Sequence, residues 1–146
     1  MGNFDFVHTT LPAVYEDCAR AESYMRSDPR SACVYARRAV ELLVGHLYRV
    51  MNLADPYRDD LSAHINDGAF KARVGNGIVA KLNLIRKVGN TAAHEVQPIP
   101  PNAAFQVIKD LHHVMLWASY NHSPNPAAAP MGASFDVALA KKSAPL

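Results

Sequence analysis

The chain has 146 residues, of which 49% are hydrophobic and 19% charged, with a formal net charge of +2. That is room for one domain with one core, and the small positive charge excludes a strongly basic nucleic-acid-binding chain, so any DNA or RNA contact must be local. No apolar run reaches the roughly 18 residues of a membrane span, the N-terminus lacks a basic region followed by an apolar one, and Met1 to Phe6 lack the hydroxyl residue of a myristoylation signal, so the chain reads as cytoplasmic.

Thr10 and Pro12 can start a first long helix, over about 11–26, in which Leu11, Val14, Cys18, Ala21 and Met25 form an apolar stripe bordered by Glu22. Asp28 then offers a carboxylate to an orphan N–H while Pro29 sits where none is needed, which starts a second helix over about 29–52. Its stripe is Cys33, Ala36, Val40, Leu43, Leu47 and Val50, and the adjoining row brings the Arg37 and Glu41 pair to the core edge. Asp55-Pro56 breaks the chain. Asp59 or Asp60 caps a short helix through Leu61 and Ile65, which Asn66-Asp67-Gly68 ends, and a brief helical turn fits Ala69 to Val74.

Gly75-Asn76-Gly77 precedes a third long helix over about 78–95, with Ile78, Leu82, Ile85, Gly89, Ala92 and Val96 as its stripe. Beside that stripe Arg86, Asn90 and His94 recur every four residues, a polar ridge of about 12 Å able to serve one groove. Gly89 and Ala93 next to it admit another backbone. The structural interpretation of the ridge is a fold-stabilising cluster, with Asn90 capping a break at Gly89 and His94 complementing the helix C-terminus. Pro98, Pro100 and Pro101 form a connector to the last long helix, over about 102–122, whose stripe is Ala104, Val107, Leu111, Val114 and Ala118. The domain therefore spans 1–122. Residues 123–146, with prolines at 124, 126 and 130, read as a Pro/Ala-rich linker or tail, of which Phe135, Val137 and Leu139 dock back weakly. The chain stops within what still reads as linker, which suggests an excised domain or a truncated frame.

The fold expected is thus all-α: a bundle of four long helices plus one or two short ones, with an extended C-terminal tail. Leu43 and Leu111 should be interior, and Glu22, Arg37 and Glu41 should meet near the first helix pair. Little in the chain signals catalysis. Cys18 and Cys33 lie on apolar stripes as core thiols. The seven histidines are scattered, His112 and His113 point to different sides of one helix, and neither His-Glu-x-x-His nor Cys-x-x-Cys occurs, so no metal is expected. Gly75-x-Gly77-x-x-x-Lys81 lacks the ending of a phosphate loop, and no Gly-x-Ser-x-Gly elbow is present.

Arg86-x-x-Gly89-Asn90-x-Ala92-x-His94, Ala21-Glu22 followed by Asp28-Pro29, Arg37-x-x-x-Glu41, and Trp117 near the end of the last helix together resemble the DUF4145 domain, over about Phe4 to His122. This resemblance implies a helical, HEPN-like bundle of the kind that forms the N-terminus of type I restriction enzyme R subunits. It implies a parent enzyme that is an ATP-dependent DNA translocase and endonuclease using ATP and Mg, partnered by methyltransferase and specificity subunits. The nuclease and ATP-binding motifs are missing from these residues, so the domain itself should use no cofactor and neither cut DNA nor hydrolyse ATP. The implied role is a docking or nucleic-acid-adjacent module in contact with the remaining R-subunit domains, with Glu22, Arg37, Glu41, Arg86, Asn90 and His94 as its polar cluster. Contact with DNA or RNA and a homodimer stay open. The alternative implied by HEPN relatives is a free-standing ribonuclease of a defence or toxin–antitoxin system, with Arg86 and His94 catalytic. Those enzymes usually separate arginine and histidine by about four to six residues, against seven here.

Overall fold

In the computed structural model, which describes residues 2–142 with the side chains of 141 and 142 excepted, all regular structure is helical. Four long helices, α2 (Pro12–Tyr24), α3 (Pro29–Val50), α6 (Asn76–His94) and α7 (Pro101–His122), carry the bundle. Four short ones, α1 (Asp5–Thr10), α4 (Leu61–Asn66), α5 (Gly68–Val74) and α8 (Val137–Lys142), and a 3-10 turn at Pro126–Ala128 close it. Proline occupies the first turn of α2, α3 and α7, where its missing N–H leaves no hydrogen bond unmade. Asp28 accepts from the Ser31 amide at 3.2 Å, Asp60 from that of Ala63 at 2.7 Å, and Asp67 from those of Ala69 and Phe70, so each starts its helix as an N-cap.

Helix α3 is the axis of the fold and packs against α2, α6 and α7. The expected stripes of α2 and α7 are buried at every position, and Leu43, Leu47, Leu82, Ile85, Ile108 and Leu111 are fully enclosed among them. Tyr48 stacks on Phe70 at 5.2 Å and donates its hydroxyl to the His64 carbonyl at 2.6 Å, which fastens α4 and α5 to the far end of α3. Both cysteines are buried and free. Burial raises the Cys18 thiol well above its usual range and pushes that of Cys33 up to about 11, so neither is a nucleophile at neutral pH.

Several expectations differ from the structure. Val50 and Val96, each the last member of a stripe, are 51% and 98% exposed: Val50 is the final residue of α3, where no neighbouring element among the described residues covers it, and Val96 lies beyond the end of α6 at His94, where the helical period no longer governs direction. Thr10 does not cap α2. Its hydroxyl instead bonds the Ser119 hydroxyl at 2.7 Å and the Phe6 carbonyl, as α1 folds against α7. The segment after Ser123 is folded back onto the bundle rather than extended: Ala129 and Ala140 are buried, and Phe135 packs edge-on against Phe105 and His112. Asn3 holds it there, donating from Nδ2 to the Asp136 carbonyl at 2.9 Å and accepting the Asp136 amide at 2.7 Å. Residues 143–146 of the expected linker lie outside the described residues.

Candidate functional site

Helix α6 runs unbroken past Gly89, so Asn90 caps nothing. Gly89 serves packing instead: a Cβ at that position would lie 2.6 Å from the Arg37 Cβ, a separation that only a missing side chain permits. The close approach explains why Arg37 stands beside the ridge helix. Its guanidinium forms the expected ion pair with Glu41, one turn along α3, while among the described residues its buried Nε has no hydrogen-bond partner.

The C-terminus of α6 is capped, but not by His94. Arg30, from the first turn of α3, extends its guanidinium to the Ala92, Glu95 and Gln97 carbonyls and approaches that of Thr91. A cation set on the orphan carbonyls at the negative end of the helix dipole meets both the hydrogen-bond and the charge requirement. With that place taken, His94 is exposed at the end of the helix.

The three ridge residues do not converge. Arg86 donates from Nε and Nη2 to the Asn83 side-chain oxygen at 3.3 and 3.1 Å, and Asn83 donates in turn to Asn66 at 2.9 Å. The guanidinium is thus drawn toward α4, one turn back along α6, while His94 lies about 12 Å along the axis in the other direction. Asn90 is half-buried between them, and Lys87 and Ala93 are exposed on the same helix. Among the described residues neither Asn90 nor His94 has a side-chain hydrogen bond, so the expected internal satisfaction of the ridge is absent. The result is an open polar edge.

Glu22 belongs to a different neighbourhood from the one expected. It is buried, accepts the Asn3 amide on both carboxylate oxygens at 3.1 Å, and accepts Asn3 Nδ2 at 2.6 Å. Among the described residues it makes no ion pair with Arg37. Burial raises its carboxyl, and the Asn3 hydrogen bonds oppose that rise by favouring the ionised form. The expected Glu22, Arg37 and Glu41 cluster is therefore two sites, one tying α2 to the N-terminal segment and one lying on α3 beside Gly89. No group of three or more His, Cys, Asp or Glu side chains among the described residues could hold a metal ion.

Two residues that sequence patterning does not single out organise this region. Arg30 reaches partners more than sixty positions away, and Asn3 lies outside any periodic stripe.

An all-helical bundle with an open polar edge on α6 is the class that the fold and these side chains define. Residues 19–143 match the family described as Domain of unknown function (DUF4145), and the chain belongs to that family. The matched region includes the whole of α3 to α8. No curated protein and no solved structure matches the chain. Among the described residues no helix is long and apolar enough to cross a membrane.

Proposed function

We propose that this chain is the N-terminal accessory domain of a type I restriction-modification R subunit, a docking or nucleic-acid-adjacent module that works in the cytoplasm and performs no catalysis itself. Family membership supports the reading, because the DUF4145 resemblance carries that context. In the whole enzyme, ATP, Mg and the nuclease carboxylates would belong to other segments, and methyltransferase and specificity subunits would be the partners.

The observation that supports docking over catalysis is the orientation of Arg86. Phosphodiester cleavage needs an imidazole to move a proton and a cation to stabilise the charge that develops on the same phosphorus. Arg86 is hydrogen-bonded to Asn83 at 3.1 Å and directed away from His94, so the pair does not serve one phosphate within a single chain. An exposed His94 with Lys87 and Asn90 on the same helix suits recognition by a partner surface.

The test sets two measurements side by side. Purified chain, Arg86→Ala and His94→Ala are assayed for metal-free RNA cleavage, and the parent is titrated into a purified methyltransferase–specificity complex. The expected result is no cleavage by any of the three and saturable binding to the complex. Cleavage by the parent that disappears in both folded variants would replace this reading with the HEPN-type ribonuclease. Inactivity without binding to the complex would remove the docking assignment as well.

A further inference from the structure

The outer face of α3 carries two rows whose chemistry runs in opposite senses. One row is Leu42, His46 and Val50, and the other is Glu41, Gly45 and Arg49, each at four-residue spacing. Leu42 and Val50 are 46% and 51% exposed, and Glu41 and Arg49 are exposed beside them. An apolar groove of about 330 Å³ adjoins the rows, walled by Leu11, Pro12 and Val14 on one side and by Leu42 and Gly45 on the other, with Pro124 at its end. His46 is fixed at the centre of its row, since its Nε2 bonds the His122 carbonyl at 2.7 Å.

We infer that this face is a self-association surface on which a second copy of the chain packs α3 against α3, antiparallel about a two-fold axis near Gly45 and His46. A two-fold operation reverses each row onto itself. It sets Leu42 of one copy against Val50 of the other and Glu41 of one against Arg49 of the other, twice over. An unrelated partner would have to supply this pattern; a second copy has it already. Gly45 meets its own copy near the axis, and the small residue at the crossing lets the backbones approach. Gly45 fits that place: a Cβ there would meet only the molecule's own Arg49 guanidinium, at 3.7 Å, so the monomer does not require glycine. The inference is independent of the accessory-domain reading.

Sedimentation equilibrium of the full chain tests it against Glu41→Arg, Arg49→Glu, the double exchange Glu41→Arg/Arg49→Glu, and Gly45→Gln, with circular dichroism establishing that each is folded. The parent should be a reversible dimer. Each single reversal should weaken it by at least about tenfold by placing like charges opposite one another twice. The double exchange should restore the dimer, because the opposition becomes complementary again. Gly45→Gln should remain monomeric with undiminished helicity. A parent that stays monomeric up to about 1 mM would overturn the proposal. So would a dimer indifferent to all four variants, and a double exchange that fails to recover association would overturn the antiparallel register.

Discussion

Gly89 on α6 and Arg37 on α3 stand so close that a methyl group on the glycine would lie 2.6 Å from the arginine Cβ and 3.0 Å from its Cδ. The contact is between helix backbones, with the first carbons of the Arg37 side chain as the surface. It fixes the depth at which α6 sits against the central helix.

Gly89→Ala is accordingly expected to destabilise the fold by about 1–3 kcal/mol through overpacking, although alanine is the better helix former by about 1 kcal/mol. Denaturant melts of parent and variant decide the sign. A neutral or stabilised variant would mean that α6 moves outward freely.

Arg30→Ala removes the cation from the last turn of α6 and leaves the Ala92, Glu95 and Gln97 carbonyls to water. A hydrogen bond to a charged group contributes about 1.5–3 kcal/mol, and solvent replaces part of it at this half-buried edge, so a total loss of about 1–3 kcal/mol is expected. Hydrogen exchange should accelerate in the last turn of α6 well before it does in α2. Uniform loss of protection across the bundle would show that Arg30 acts globally.

His112 lies between the Phe4, Phe6 and Phe135 rings, and burial pushes its imidazole down to about 4. Repulsion from His113 works in the same direction, while a hydrogen bond with the Asn3 backbone opposes it. The folded value lies below the unfolded one near 6.5, so the stability linked to this group is present above pH 6.5 and is lost as pH falls toward about 4. The loss amounts to about 3 kcal/mol when complete. His112→Phe should therefore show a smaller fall in Tm than the parent between neutral pH and pH about 4. Equal falls in both proteins would assign the acid sensitivity to carboxylates alone.

Leu43 and Leu111 are fully buried, one on α3 and the other on α7. Truncation of either to alanine should cost about 2–5 kcal/mol, lost transfer energy and residual cavity together. Urea denaturation measures this directly, and a change under about 0.5 kcal/mol would place that leucine outside the core.

What was legible in the sequence was whatever depends on neighbours a few residues apart. Leu11 to Met25 and Ala104 to Ala118 announce their buried faces by period, and Asp28-Pro29 announces a helix start by the chemistry of orphan amides. Helix α1 is not legible in the sequence because six residues carry too little period, although Phe4, Val7 and Leu11 are spaced as one buried face. The site was less legible. Asn3 to Glu22 and Arg30 to the end of α6 are contacts between distant segments, and no local spacing encodes them. The ridge shows the same limit from the other side: a regular spacing of Arg86, Asn90 and His94 could not reveal that Asn83 and Arg30 redirect its two ends.

Asn3 grips Asp136, 133 positions away, by an exchange of two hydrogen bonds, while also holding Glu22 on α2. In a longer polypeptide this clasp would decide how the domain bears tension. Force arriving along the N-terminal segment and leaving through α8 would cross from Asn3 to Asp136 without running the length of the four long helices. The long helices would be loaded in series only after those two bonds parted, and only then would α1 begin to peel from α7. The clasp would act as a mechanical fuse, so that Asn3→Ala would expose the helices to the first increment of pull.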